Sequence, residues 1–308
     1  MAPGKSKLKA LIRERQRSLR EHGTTLQGSG FFEIDRCNVS MHSCYGPPDQ
    51  DKGPENQDYV LAWRRANNSD ECPIRFAISI ADGVTSSFRS EWASKLACWS
   101  AITSLVGESQ ELRESPSRSW ASRAFDAAGA AIGEIADILN SDPQSSCPRG
   151  QFSSTWKYIL RKGAFLQTTL ALLWSDRERI CVASVGDSGA VVREYGSDNI
   201  ARSEKDQILA ACDLQTQQVQ AIGPLNRSGH EFDCWFEGSL CQQFLTAIHT
   251  DGLGRGLGDH PLALLEQLDA LQLRRKAKKE ARRYLDRALA ERPKDFDDNL
   301  TLAVVRRV

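Results

Sequence analysis

The chain has 308 residues, with 40 Lys and Arg against 40 Asp and Glu, 40% hydrophobic residues and 26% charged ones, a composition that excludes intrinsic disorder and a collagen-like repeat. That length suits one large domain or two average ones and is enough to bury a continuous core. The zero net charge hides segregation: residues 1–22 carry +5 and residues 274–287 carry +6, leaving −11 on an acidic remainder able to gather cations.

In chain order, residues 5–22 predict a basic helix, and residues 1–30 are read as an N-terminal extension to one domain over 31–308. The stretch 23–57 reads as irregular, punctuated by GSG at 28–30 and GPPDQDKGPEN at 46–56. Strands are expected at Asp58–Trp63 and Ile74–Ile80, the second running into Ala81-Asp82-Gly83. Apolar residues at helical spacing, Trp92, Leu96, Trp99 and Ile102, then Ala124, Ala128, Ile132, Ile135 and Leu139, predict two amphipathic helices over 87–106 and 119–139. A surface loop at 141–150 separates these from 165–193, where FLQTTLALLW, ICVASV and GAVVRE read as a hairpin and a third strand in one antiparallel meander. Further strands are expected at 231–236 and 243–249, a long helix over 261–290, and a last strand at 300–305. Strands and helices thus come in blocks, which predicts an α+β fold: an antiparallel β-sandwich of two sheets flanked by helices on both sides.

No apolar run approaches the ~20 residues of a membrane helix, and the first residues lack the apolar stretch of a secretion signal. A cytoplasmic protein is expected. The nine cysteines, without a C-x-x-C pair, read as reduced and mostly buried.

Four aspartates share one situation. Asp58 opens a strand, Asp82 and Asp251 each end one before a glycine, and Asp298 precedes the last. Singly, each has a cheaper explanation as a turn or cap residue. Gathered at one rim, they would repel and raise one another's pKa unless cations neutralised them, and hard oxygen ligands suit Mg²⁺ or Mn²⁺.

The blocks N-Q-D at 56–58, A-D-G-V at 81–84, T-T-L at 168–170, V-G-D-S at 185–188, A-I-G at 221–223, T-D-G-L at 250–253 and D-N-L-T at 298–301 resemble, in order and spacing, the metal-dependent serine/threonine protein phosphatases of the PPM or protein phosphatase 2C type. The resemblance implies that Asp82 bridges two Mn²⁺ or Mg²⁺ ions. Asp58 and the Gly83 carbonyl would serve one ion, and Asp251 and Asp298 the other. Asp187 looks like the aspartate near a weaker third position, and a flap over residues 203–227 would border the substrate groove. A water between two cations then loses its proton near neutral pH and attacks a phosphoserine or phosphothreonine monoester in line. The implied partners are a phosphorylated protein and a cognate Ser/Thr kinase, with no membrane or nucleic acid, and a monomer is expected.

The sequence departs from that family mainly on the substrate side. Gln57 stands where many relatives have Glu, Gly53 falls where many have a phosphate-holding Arg, and Thr85-Ser86 replace a glycine pair. Val84 occupies the place of a general-acid histidine, and Gly189 that of an arginine. Lys52 and Arg89 are the candidate substitutes for phosphate binding. Two other classes stay open: a pseudophosphatase of the same fold that binds a phosphoprotein, and a two-metal phosphohydrolase for small molecules. A serine protease reading of G-D-S-G at 186–189 lacks a fitting histidine. His230, Cys234, Cys241 and His249 have spacings unlike a zinc knuckle.

Overall fold

A computed structural model describes residues 3–44, 57–66, 72–84, 87–107, 116–143, 147, 153–195, 208–211, 221–239, 243–256, 264, 266–268, 279–292, 296 and 298–307. The strands are β1 (Gly23–Gln27), β2 (Ser29–Ile34), β3 (Cys37–Cys44), β4 (Tyr59–Arg65), β5 (Phe76–Ala81), β6 (Leu170–Ser175), β7 (Arg179–Val185), β8 (Gly189–Tyr195), β9 (Ile208–Ala211), β10 (Cys234–Ser239), β11 (Gln243–His249) and β12 (Leu300–Arg307). The helices are α1 (Pro3–His22), α2 (Ser90–Gly107), α3 (Ser117–Ser141), α4 (Ser153–Lys162), α5 (Asp251–Gly256) and α6 (Glu280–Glu291).

The strands form two six-stranded sheets, ordered β1-β4-β5-β6-β7-β10 and β2-β3-β12-β11-β8-β9, with every pairing antiparallel. The expected sandwich flanked by helices is therefore the observed fold. Each central strand is buried on both faces, so its two side-chain rows serve different cores. In β4, Leu61 and Trp63 join the cluster under α1 to α4 while Val60 and Ala62 join the cluster between the sheets. In β12, Ala303 and Val305 face the sheet interior, and Leu302 and Val304 pack with Tyr284, Leu285 and Ala288 of α6.

The basic helix α1 buries Leu8, Leu11, Ile12 and Leu19 at helical spacing in the same cluster as α2 and α3. The Trp63 indole donates to the Leu19 carbonyl at 3.1 Å. No helix among the described residues is long and apolar enough to cross a membrane.

Three elements correct the sequence reading. Residues 23–44, taken as irregular, form β1 to β3. They are polar because β1 and β2 are edge strands with half-exposed faces. Their turns use positive φ at Gly28 (69°), Asp35 (48°) and Arg36 (65°), the last two suiting a tight hairpin. The expected three-strand meander also breaks: β6 and β7 pair, but β8 crosses to the second sheet beside β11. The chain turns there at Gly186 (φ 91°), whose N–H donates to Asp233 Oδ2 at 2.6 Å. Helix α4 has no counterpart in the sequence reading. Of the long helix expected over 261–290, the end is observed as α6 from Glu280, while residues 261–263, 265 and 269–278 lie outside the described residues, as does most of the loop at 141–150.

Candidate active site

Strand register explains why residues scattered over 240 positions converge. Tyr59 opposes Ala81, so Asp58 entering β4 and Asp82 leaving β5 lie at one end of the first sheet. In the second sheet His249 opposes both Leu302 and Gly189, which brings Asp251, Asp298 and Asp187 to the corresponding end. One carboxylate oxygen from each of Asp82, Asp187 and Asp251 lies within 4.8 Å of the others.

Asp58 stitches the two sheets together. Its Oδ2 accepts hydrogen bonds from Thr250 Oγ1 at 2.8 Å and Thr301 Oγ1 at 2.9 Å, and Thr250 Oγ1 in turn accepts the Thr301 N–H at 3.1 Å. The Asp82 carbonyl is held by the Thr169 N–H at 2.9 Å and the Thr168 hydroxyl at 2.7 Å, which fixes the turn that presents its side chain. Gly83 is required beside it, because a Cβ would lie 2.8 Å from the Ser90 Cβ and 2.9 Å from the Gln57 Cβ. At Gly252 a Cβ would strike the Asn299 carbonyl, so the glycine lets the chain carrying Asp251 close on the chain carrying Asp298.

The electrostatics follow from that crowding. Burial drives Asp58 up to about 6, and Asp298 adds to the rise, against hydrogen bonds from Asp82, Thr250 and Thr301 that lower it. Burial also lifts Asp82 well above the ordinary carboxylate range, helped by Asp58, Asp298 and Asp187. Without a cation this pair keeps a proton that ordinary carboxylates lose. The donor set is all oxygen, anionic and convergent, which fits hard divalent ions such as Mg²⁺ or Mn²⁺. The sulfur and imidazole set is divided instead: Cys234 lies in the first sheet, His249 in the second, and Cys241 outside the described residues.

On the substrate side, Lys52, Gly53 and Thr85-Ser86 lie outside the described residues. Arg89 begins the turn into α2 with φ 58°, its guanidinium 5.1 Å from the Phe88 ring centre and 4.1 Å from that of Trp92. The Val84 N–H donates to the Gln167 carbonyl at 3.2 Å. Gly189 has a packing reason: a Cβ there would overlap the imidazole of His249. That ring is buried, which depresses its pKa, and its Nδ1 lies 3.0 Å from the Thr250 carbonyl, to which Nδ1–H donates. Ser188 of G-D-S-G is buried with its hydroxyl 2.7 Å from that of Thr169.

The parts of the expected flap at 203–207 and 212–220 lie outside the described residues, but its return is anchored. Ile222 exchanges backbone hydrogen bonds with Thr168 at 3.0 and 2.8 Å. Arg227 makes a two-pronged contact with Asp137 of α3 at 2.9 and 2.6 Å, and the Gly229 N–H donates to Asp126 at 2.9 Å. Thr250, Thr301, Thr168 and Asp233 were not singled out from sequence. The two threonines at 250 and 301 were nevertheless within reach, since each stands inside a block that supplies a rim aspartate.

A sequence profile described as Protein phosphatase 2C matches residues 45–291. Comparison with curated proteins finds no match. Among solved structures, the chain is similar to the catalytic domain of the serine/threonine protein phosphatase PstP in complex with 2 manganese ions, at 18% identity and TM-score 0.54, covering 88% of this chain and 97% of that one. It is similar to the phosphatase Stp1 of Staphylococcus aureus at 14% identity and TM-score 0.55, covering 90% and 96%. A serine-threonine phosphatase 2C of Toxoplasma gondii gives 15% identity and TM-score 0.54, covering 92% and 99%.

Proposed function

From the premise that this chain belongs to the protein phosphatase 2C family, we propose that it hydrolyses phosphoserine and phosphothreonine in proteins with two bound Mn²⁺ or Mg²⁺ ions. The observation that carries this reading is the convergence of Asp82, Asp187 and Asp251 oxygens at the rim where Asp58 also enters its strand. Asp82 would bridge the ions, Asp58 and the Gly83 carbonyl would complete one, Asp251 and Asp298 the other, and Asp187 would serve a weaker third position. Such ions supply a nucleophilic water at neutral pH and offset the charge of the phosphoryl group.

The chain's own residues do the positioning. Thr250 and Thr301 aim Asp58 by donating to one of its oxygens, leaving the other for the rim. Thr168 and Thr169 fix the peptide that carries Asp82 and Gly83. Val84 offers no proton to the leaving serine or threonine oxygen, so solvent supplies it. Lys52 and Arg89 are the proposed contacts to the substrate phosphate, Arg89 from its seat on Phe88 and Trp92. A phosphorylated protein is then the substrate, a Ser/Thr kinase the opposing enzyme, and the cytoplasm the setting.

The test is hydrolysis of p-nitrophenyl phosphate and of phosphopeptides with Mn²⁺, with a chelator, and in Asp82→Asn. Loss of a residue that merely supports a metal ligand costs about 10- to 100-fold, so Asp82→Asn is expected to lose more than about 100-fold in kcat/KM. Manganese uptake without turnover of either substrate would point to the pseudophosphatase. Turnover of small esters alone would point to the small-molecule hydrolase.

A further inference from the structure

Helix α4, SSTWKYILRK, buries Trp156 and Leu160 and turns a different face outward. Trp156 packs edge-on against Phe88 and Phe165, with ring centres 5.0 and 6.2 Å away. The outward face carries Lys157, Tyr158, Arg161 and Lys162, all exposed. No acidic residue occurs in the helix, and none of its three cations pairs with a carboxylate among the described residues. Arg161 and Lys162 gain something from the negative end of the helix dipole. Lys157, a turn earlier, gains little.

Apolar exposure points to the same place. Among the described residues, the large hydrophobic side chains left exposed are Tyr158 at 62% and Leu225 at 76%. Leu225 reaches the end of α4, where a Cβ on Gly163 would lie 2.6 Å from it. The Lys162 ammonium lies 6.0 Å from the centre of the Tyr158 ring. One surface therefore combines three cations that have no carboxylate partner among the described residues with an exposed aromatic and an exposed aliphatic side chain.

Its position ties it to the rim. After Lys162 the chain pairs with Phe88, through Phe88 N–H to Ala164 O at 3.2 Å and Leu166 N–H to Phe88 O at 2.8 Å, and then reaches Thr168, whose hydroxyl holds the Asp82 carbonyl at 2.7 Å. Six residues from Lys162 to Thr168 span at most about 20 Å. An extended substrate peptide covers that gap in about the same number of residues.

We infer that the outer face of α4, with Leu225, is a docking surface for an acidic stretch of the substrate protein lying within about six residues of its phosphoresidue. Lys157, Arg161 and Lys162 attract the acidic side chains, and Tyr158 and Leu225 provide the apolar contact. The assignment rests on the phosphatase reading and narrows it to substrates with acidic flanks.

The experiment uses the full chain with Mn²⁺ and two phosphopeptides that differ only in having Asp/Glu or Ser/Gln flanks, beside p-nitrophenyl phosphate. In Lys157→Glu/Arg161→Glu/Lys162→Glu, KM for the acid-flanked peptide is expected to rise more than about tenfold, three exposed ion pairs at about twofold each together with the repulsion that charge reversal adds. The neutral peptide and the aryl phosphate should keep their constants. Lys157→Gln/Arg161→Gln/Lys162→Gln should fall between, and the difference should shrink at high salt. Equal KM changes on both peptides, or none on the acid-flanked one, would overturn the surface. If the unaltered chain turns over no substrate, the phosphatase reading fails separately. Fluorescence anisotropy of the labelled acid-flanked peptide then decides the surface: tighter binding than the neutral peptide, lost in the triple variant, upholds it, and equal binding rejects it.

Discussion

The aspartate rim and the outer face of α4 are about six residues of chain apart and are built in opposite ways. The rim takes its members from strand ends throughout the chain, buries them wholly or in part, and by that burial and their mutual repulsion lifts Asp58 and Asp82 above the ordinary carboxylate range. The α4 face takes its members from one local helix and leaves them in solvent. A site assembled by long-range register is costly to change at any member, because each carboxylate is held by the fold. A site assembled on a helix surface is cheap to change, because each cation is held only by the turn beneath it. Under the proposed function, nucleophile and charge offset would belong to the rigid region, and substrate selectivity to the adjustable one.

The largest expected effect comes from titrating the rim as a unit. In the unfolded chain these carboxyls lose their protons near 3.8, whereas folded Asp58 keeps its proton to about 6 and Asp82 beyond the ordinary range. Between those values the folded state binds more protons than the unfolded one, so stability falls as pH rises. The metal-stripped protein should lose melting temperature from about pH 4 to above pH 6, and Asp58→Asn should flatten that decline. Added Mn²⁺ should restore the loss at neutral pH by binding only the folded form. A melting temperature of the stripped protein that does not fall over this range would show that the carboxylates are not crowded.

Next in size is Gly189→Ala. Its Cβ would overlap the His249 ring, and overpacking of this kind costs about 2 kcal/mol. In Gly189→Ala/His249→Ala most of that loss should return, a coupling that denaturant melts of the four proteins would measure. Additive losses would mean that the histidine is not what requires the glycine. A smaller effect is expected of Thr301→Val, which removes one of two hydroxyl donors to Asp58: about 1 kcal/mol in the metal-free protein. Manganese affinity, read by calorimetry, should drop about tenfold. The same variant should leave the preference for acid-flanked peptides alone, since it touches only the rim.

The same contrast explains what the sequence disclosed. Asp58, Asp82, Asp251 and Asp298 were legible because each adjoins a buried strand, and a strand buried on both faces writes a continuous apolar run with a hard edge. Trp92, Leu96 and Trp99, or Ile132, Ile135 and Leu139, likewise announce α2 and α3 by spacing. By contrast β1 and β2 sit at sheet edges, so Thr24, Thr25, Ser29 and Gly30 show little alternation and their region read as loop. In α4 only Trp156 and Leu160 are deeply buried, too few to establish a period in a ten-residue helix. The transfer of β8 to the second sheet was illegible for another reason. It depends on Asp233 holding the Gly186 N–H across 47 positions, and local pattern carries no trace of such a partner.

One segment touches both regions and so tests whether they are separate. Ile222 pairs with Thr168 on the rim side, while Leu225 lies at the end of α4, and between them and α3 runs the clamp of Arg227 on Asp137. The clamp is solvent-exposed, with side chains 40% and 62% accessible, so it contributes at most about 1 kcal/mol to folding. Asp137→Ala should accordingly leave the melting temperature nearly unchanged. Its expected signature is an increase of about twofold in KM for the acid-flanked phosphopeptide, because Leu225 loses a fixed position, with manganese affinity unaltered. The rim keeps its own supports in that variant, Thr168 and Thr169 on Asp82 and Thr250 and Thr301 on Asp58. A fall in manganese affinity would show instead that the Ile222 pairing transmits the position of the flap return to the rim, and that the two regions act as one.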